Sequence, residues 1–125
     1  MKKKLLIVDD EPSIRLILEH YFKKEYDVTI TSNGQEGMDY LEKGFVIDAI
    51  IADYDMPIMN GLDFIKQLRA STLFKNLPLI MLSGKDETSN KILCLKHGAD
   101  DYVSKPFNPE ELDLRIKNIL RRINS

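Results

Sequence analysis

Residues 49–57 read AIIADYDMP, a short apolar run that ends at Asp53, with Asp55 one residue further on. The run LLIVD (5–9) repeats the pattern, since it is also continuous, apolar and terminated by acids. Uninterrupted apolar runs of this length are typical of strands buried on both faces, as in parallel sheets covered by helices. The two stretches therefore predict a parallel sheet whose inner strands deliver carboxylates to one edge.

Outward from these strands, short apolar runs alternate five times with longer amphipathic ones. The predicted strands are 5–9, 26–32, 48–53, 77–84 and 101–105, and the predicted helices are 11–24, 33–44, 61–71, 87–98 and 108–123. This alternation predicts an α/β fold with helices on both faces of the sheet. Because crossovers between parallel strands are right-handed, we expect a flavodoxin-like, doubly wound (βα)5 sheet with strand order 2-1-3-4-5. In the first helix, Ile14, Ile17, Leu18 and Tyr21 have the spacing of a buried stripe.

Length and composition limit the classes of protein to consider. The chain has 125 residues and a net charge of −2, and its basic residues are mostly scattered, so we expect one domain that binds no nucleic acid itself. Cys94 is the single cysteine, which excludes a disulfide framework. The apolar run after the first lysines is too short for a signal peptide or a membrane span, so we expect a cytoplasmic protein.

Chemically useful side chains follow four of the five predicted strands. Asp9 and Asp10 end the first strand, Asp53 the third, Ser83 the fourth and Lys105 the fifth. In a parallel sheet these ends meet at one edge, at the switch point of the strand order. Three carboxylates so placed repel one another, and one lysine does not neutralise them. Mg²⁺ is the expected cation, since it binds carboxylates together with water and phosphate oxygens.

This set of residues suits phosphoryl transfer. Asp53 can act as the nucleophile and form an acyl phosphate. Asp10, supported by Asp9, can hold the metal, while Ser83 and Lys105 can bind phosphoryl oxygens. An acid after a strand is more often a helix cap than a catalyst, but capping does not explain five such residues on one edge.

Four motifs resemble those of the response-regulator receiver domain of two-component signalling, the CheY-like family. They are VDDE (8–11), DYDMPIMNG (53–61), LSG (82–84) and GADDYVSKPF (98–107). The resemblance implies that Asp53 is phosphorylated by a sensor histidine kinase or a phosphotransfer protein. It also implies that Mg²⁺ is bound by Asp10, Asp53, the backbone carbonyl of Asp55 and, through water, Asp9.

The same resemblance implies a conformational switch. Ser83 corresponds to the switch hydroxyl, Lys105 to the lysine that pairs with the phosphoryl group, and Tyr102 to an aromatic ring that follows Ser83. The Lys105–Pro106 peptide is expected to be cis. Phosphorylation is then expected to alter the surface formed by the fourth helix, the fifth strand and the fifth helix.

The segment 98–122 is especially similar to receivers of winged-helix transcription regulators of the OmpR/PhoB type. Such receivers dimerise through the surface just described, and here the pairs Lys91–Glu111 and Asp101–Arg115 fit that scheme, whereas the positive charge of Lys96 departs from it. Two further residues are expected to tune the lifetime of the phosphorylated state, namely Asp55 and Lys85. The whole chain, 1–125, is expected to be a single receiver domain without an output domain.

Two alternatives remain open at this point. In a phosphatase of the haloacid dehalogenase type, Asp53 would be the nucleophile and Asp55 the general acid. Those enzymes usually carry this motif on the first strand, whereas here it follows the third. The second alternative is an unreactive receiver fold that serves as an interaction module. A calcium loop is excluded, because Pro57 and Met59 occupy positions that need oxygen ligands.

Overall fold

Five strands alternate with five helices within residues 2–84 and 88–123, the part of the chain that the computed structural model describes. The strands are β1 (Lys3–Val8), β2 (Tyr26–Thr31), β3 (Ala49–Asp53), β4 (Leu79–Ser83) and β5 (Asp101–Ser104). The helices are α1 (Pro12–Phe22), α2 (Gly34–Glu42), α3 (Gly61–Ala70), α4 (Thr88–Lys96) and α5 (Pro109–Ile123). Each predicted element is present, with ends that differ from the prediction by a few residues.

The strands form one parallel sheet in the order β2-β1-β3-β4-β5, which confirms the predicted topology. Leu5 of β1 pairs with Ala49 of β3, and Met81 of β4 pairs with Tyr102 of β5. All five residues of β3 and all five of β4 are buried, as expected for strands covered on both faces. The order reverses between β1 and β3, so the carboxyl ends of these two strands flank the crevice that open α/β sheets use for ligands.

A hydrophobic core lies on each face of the sheet. Alternate residues of β1 divide between the two, with Leu6 and Val8 on one side and Leu5 and Ile7 on the other. The first side is completed by α2, α3 and α4, and the second by α1 and α5. In the described part of the chain, no helix has the length and apolar character needed to cross a bilayer.

The predicted stripe on α1 is partly wrong. Leu18 and Phe22 are buried and Ile14 is half-buried, so the helix contacts the core along an i, i+4 row. Ile17 lies to one side of this row and is 48% exposed. The sequence pattern did not distinguish Ile17 from Phe22, because both lie within the width of an ordinary apolar stripe.

Candidate functional site

The structure gathers the acidic residues at the carboxyl edge of the sheet. Carboxylate oxygens of Asp9, Asp10 and Asp53 all lie within 4.8 Å of one another. Asp10 and Asp53 line an open cleft of about 380 Å³, and Asp9 lies beside it. The residues that line this cleft are Asp10, Glu11, Asp53, Asp55, Gly84 and Lys105. The side chains of Asp53 and Asp9 are only 4% and 1% exposed, whereas Asp10 is exposed. The cleft is therefore open to small ions while its deepest carboxylates are largely removed from water.

Lys105 is the cation at the centre of this cluster. Its Nζ lies 3.3 Å from Asp53 Oδ1, 3.6 Å from Asp9 Oδ2 and 3.9 Å from Glu11 Oε2. Burial lowers the pKa of Lys105, but the charges of Asp53 and Asp9 outweigh burial, so the pKa is raised overall. Lys105 therefore stays charged and is shared among three carboxylates, which leaves the cleft with an excess of negative charge.

The pKa values of the buried acids reflect their burial first and the neighbouring charges second. Burial, followed by the charge of Asp9, raises the pKa of Asp53 to about 6, although Lys105 acts in the opposite direction. Burial also raises the pKa of Asp9 above its ordinary value. Both shifts mean that the site disfavours its own carboxylate charges, a condition that a divalent cation relieves.

Asp9 offers an oxygen that fits such a cation. Its Oδ1 accepts a hydrogen bond from the Glu11 N–H at 2.9 Å. Its Oδ2 is buried and forms no hydrogen bond with the described residues, and Lys105, at 3.6 Å, is its ion-pair partner. Buried polar atoms normally have a hydrogen-bond partner, so an orphaned oxygen facing a cleft suits a water or metal ligand. The capping alternative is not supported for α1, because its N-cap residue, Glu11, makes no side-chain cap hydrogen bond.

The loop after β3 places Asp53 with several short constraints. The Tyr54 N–H donates to the Leu82 carbonyl, and the Gly61 N–H donates to the Tyr54 carbonyl, both at 2.8 Å. A Cβ at Gly61 would lie 2.7 Å from Tyr54 Cα, so the helix that follows begins at a position only glycine can occupy. Ile58, in the same loop, has a φ of 69°, an unusual conformation for a β-branched residue.

The proposed switch residues lie next to this site. Ser83, at the end of β4, is buried, and its carbonyl accepts the Lys105 N–H at 2.6 Å. The Tyr102 ring is buried, and its hydroxyl has no hydrogen-bond partner of good geometry among the described residues. Burial raises the pKa of Tyr102, an effect that interaction with the Ser83 side chain opposes. The Lys105–Pro106 peptide is cis.

The remaining predicted residues differ in their position relative to the cleft. Arg115 Nη1 lies 2.9 Å from Asp101 Oδ2 and Arg115 Nε lies 3.5 Å from Glu111 Oε2, so these charges pair within one chain. Lys91 is exposed on α4. Asp55 lines the cleft, and its N–H donates to Asp53 Oδ1 at 3.4 Å. Lys85 lies outside the described residues.

Two residues at the site were not predicted from the sequence. Glu11 contacts Lys105, and Arg15 donates a hydrogen bond from Nη1 to the Asp9 carbonyl at 2.9 Å. The sequence carries a weak signal for both, because Glu11 directly follows the acid pair and Arg15 lies one helical turn beyond Glu11. Which partner such side chains reach depends on the angle between β1 and α1, which residue spacing does not define.

Comparisons with known proteins agree with this geometry. The model of the family described as response regulator receiver domain matches residues 5–117. Among curated proteins, the chain is 43% identical over 123 residues to the alkaline phosphatase synthesis transcriptional regulatory protein PhoP of Bacillus subtilis, covering 98% of this chain and 50% of PhoP. The chain thus spans about half the length of the curated relatives it matches.

Solved structures give the same result for the fold. A putative response regulator from Chloroflexus aurantiacus superimposes with a TM-score of 0.91 at 37% identity, covering 97% of this chain and 99% of that one. The receiver domain of sensor histidine kinase PA1611 from Pseudomonas aeruginosa gives 0.87 at 26% identity, covering 96% and 98%. That structure holds a magnesium ion coordinated in its active-site cleft. These matches support a receiver and do not support a dehalogenase-type phosphatase or an unreactive module.

Proposed function

This chain belongs to the response regulator receiver domain family, and we propose that Asp53 is the residue on which it accepts a phosphoryl group. The chain is a regulatory phosphoacceptor domain of two-component signalling. One observation carries the assignment to Asp53. Its buried carboxylate ends β3, 3.3 Å from Lys105 and beside two further aspartates. Neither Asp9 nor Asp10 combines a position in the cleft wall with this close contact to the lysine.

In the proposed reaction, a carboxylate oxygen of Asp53 attacks the phosphorus of a phosphohistidine on the donor. An O–P bond forms while the P–N bond breaks, and the imidazole nitrogen keeps the electron pair. The residues present fit Mg²⁺, which would be held by Asp10, Asp53, the Asp55 carbonyl and, through water, Asp9. When bound, the ion neutralises charge on the transferring oxygens.

Lys105 and Ser83 then hold the product. The acyl phosphate carries roughly two negative charges at neutral pH, one more than the free Asp53 carboxylate. It is therefore a stronger partner for the Lys105 ammonium than either Asp9 or Glu11, which carry one charge each. The backbone of Lys105 is already fixed by its hydrogen bond to the Ser83 carbonyl. The movement of Lys105 toward the phosphoryl group is therefore confined mainly to its side chain. The Ser83 hydroxyl donates to a phosphoryl oxygen, and Tyr102 occupies the space that Ser83 vacates.

This movement changes the surface of α4, β5 and α5, through which we propose that two copies pair. Lys91 is exposed on α4 and can contact Glu111 of the other copy, in addition to the contact of Glu111 with Arg115 in its own chain at 3.5 Å. Asp101 and Arg115 are already 2.9 Å apart within one chain, so exchange of this pair between copies adds little net ion pairing. Burial of the exposed Ile92 on α4 is then the more important contribution.

The phosphoryl donor is proposed to be a sensor histidine kinase, or a phosphotransfer protein, acting in the cytoplasm. An apolar groove of about 470 Å³ lies between α1 and the start of α5, lined by Leu16, Ile17, His20, Tyr21 and Pro109. Leu16 is 67% exposed. Helix α1 begins two residues after Asp10, so a donor that reaches Asp53 also covers this groove. The composition gives no basic face for nucleic acid, and residues 1–125 are proposed to act as a single receiver domain.

Asp55 and Lys85 are proposed to set the rate of slow autodephosphorylation by partly covering the phosphoryl group. Asp55 is exposed at the mouth of the cleft, where its carboxylate repels both the phosphoryl group and hydroxide. The test is the lifetime of phosphorylated Asp55→Asn against the wild type. An unchanged lifetime would show that the Asp55 carboxylate does not affect autodephosphorylation.

The experiment for the main proposal is intact-mass measurement after incubation with Mg²⁺ and acetyl phosphate. The wild type should gain one phosphoryl group, Asp53→Asn should gain none, and Asp27→Asn should behave like the wild type because Asp27 lies on the distant end of β2. Rapid phosphate release without an adduct would instead indicate a phosphatase. If neither is seen, Mg²⁺-dependent binding of beryllofluoride distinguishes a receiver that needs its own kinase from an unreactive module.

A further inference from the structure

Arg15 lies half-buried in α1, and its guanidinium is turned back toward the end of β1 rather than toward solvent. Nη1 donates to the backbone carbonyl of Asp9 at 2.9 Å. This carbonyl belongs to the peptide that joins the two aspartates of the cleft. We propose that Arg15 is a positioning residue, which fixes this peptide so that both carboxylates face the site of the divalent cation; the inference rests on the proposed Mg²⁺ site.

The turn between β1 and α1 depends on few other constraints. The Asp9 N–H donates to the Thr31 carbonyl at 3.1 Å, which fixes the start of the turn. The Arg15 N–H donates to the Glu11 carbonyl at 3.1 Å, which fixes its end. Between these points, the Glu11 N–H holds Asp9 Oδ1 and the Arg15 side chain holds the Asp9 carbonyl. Rotation of the peptide would move the carboxylates of Asp9 and Asp10 together, so one lost hydrogen bond acts on two ligands.

The hydrogen bond and the charge of Arg15 have opposite effects on a bound cation. A guanidinium near the cleft repels Mg²⁺ directly, whereas correct placement of two carboxylates favours it. The positive charge of Arg15 also acts on Glu36. The pKa of Glu36 is lowered chiefly by hydrogen bonding to Ser32 and, to a smaller extent, by Arg15. If Arg15 acted only through its charge, its removal would tighten Mg²⁺ binding. A positioning role predicts weaker binding, so the sign of the change separates the two.

Arg69 provides a matched control, since it is another half-buried arginine that donates to backbone carbonyls. Its Nη2 donates to the Gly98 carbonyl at 2.8 Å and its Nη1 to the Leu77 carbonyl at 2.6 Å. Both contacts lie at the amino-terminal end of β4 and β5, opposite the cleft. Variants of Arg69 should therefore lower stability without changing the cation site.

The test measures the Mg²⁺ dissociation constant by calorimetry and the free energy of unfolding by urea titration for each protein. Arg15→Met should weaken Mg²⁺ binding about tenfold or more, as losses of residues that orient metal ligands do. Arg15→Lys keeps the charge and one donor, so it should weaken binding less than Arg15→Met. Arg69→Lys should lose stability and keep the wild-type dissociation constant.

Phosphorylation gives a second readout that general loss of stability would not produce. With acetyl phosphate, Arg15→Met should be slow at low Mg²⁺ and should recover most of the wild-type rate at saturating Mg²⁺, because Asp53 and Lys105 are unchanged. Mg²⁺ binding by Arg15→Met that equals or exceeds that of the wild type would overturn the proposal. Should Arg15→Met not fold, Arg15→Gln is judged by the same criterion. Failure of the wild type itself to bind Mg²⁺ would instead refute the proposed metal site.

Discussion

The carboxylate of Asp53 should destabilise the metal-free protein. Its pKa is about 6 in the fold and 3.8 ordinarily, and each pKa unit corresponds to about 1.36 kcal/mol. The difference of roughly two units gives about 3 kcal/mol as the upper limit of this cost. Solvent screening reduces it little, because the side chain is only 4% exposed.

The direction of the pH dependence follows from proton binding. Between the ordinary pKa of 3.8 and the folded value of about 6, the native state binds more protons at Asp53 than the unfolded state does. Stability attributable to this group therefore falls as pH rises through that window and stays lower at neutral pH. Addition of Mg²⁺ should offset the loss, since a ligand that binds only the native state stabilises it.

Asp53→Asn removes this charge with little change in shape. In EDTA at neutral pH, the variant should be more stable than the wild type by about 1–3 kcal/mol, the lower part of the range reflecting the lost contact with Lys105. Asp27→Asn removes the same charge from an exposed pair with Lys4, 3.9 Å away, and should change stability by less than about 1 kcal/mol.

Urea denaturation followed by circular dichroism, with and without Mg²⁺ and at several pH values, measures these differences. The advantage of Asp53→Asn should shrink as pH falls toward 4, and Mg²⁺ should stabilise the wild type more than the variant. The reasoning is refuted if Asp53→Asn is no more stable than the wild type in EDTA at neutral pH, or if its advantage grows as pH falls.

Three further predictions address other parts of the molecule. Ile58→Gly should raise the free energy of unfolding by about 0.5–1 kcal/mol, because relief of the left-handed backbone exceeds the added entropy of the unfolded chain; a loss in urea titration would contradict this. Cys94 is buried and its thiol pKa is raised to about 11 by burial, so it should resist a disulfide reagent in the native protein and react once urea unfolds it; rapid native labelling would show that α4 opens readily. Ile17→Asp should slow transfer from the autophosphorylated kinase while leaving phosphorylation by acetyl phosphate unchanged, because Ile17 lines the groove beside α1 and is not among the residues that line the cleft. A parallel fall in both rates would show that the substitution acts through the fold instead.

The sequence predicted the fold well because its strongest signal is burial on both faces. The runs that became β1 and β3 contain no polar residue before their terminal acids, so they require helices on both sides and leave few topologies. The side that each helix presents to the sheet was less certain. Ile17 was expected in the core of the protein and instead lines the groove beside Pro109, because the position of α5 decides which residues of α1 are covered.

For the candidate site, residue spacing predicted which side chains reach the edge but not how they share their partners. Lys105 contacts Glu11 as well as the two buried aspartates, and that contact depends on the direction of a long side chain. Likewise, residue spacing did not indicate that Asp101 and Arg115 pair within one chain, and their pairing between two copies stays a prediction. The sequence shows which charged residues are present, but the packing of β5 against α5 determines which of them lie close together in a single chain.

The feature that destabilises the site, burial of its carboxylates, is also the one that would make it responsive to the proposed phosphorylation. Asp53 and Asp9 are buried, and the pKa of Asp53 is raised first by this burial and then by the weakly screened charge of Asp9. For the same reason, the added charge of a phosphoryl group on Asp53 would act strongly on its proposed partners, Lys105 and Ser83, because little water is present to screen it. Exposed carboxylates would make the metal-free protein more stable, but a phosphoryl group there would shift the positions of these neighbours much less. The burial that lowers stability in the absence of a cation is therefore the physical basis of the proposed switch.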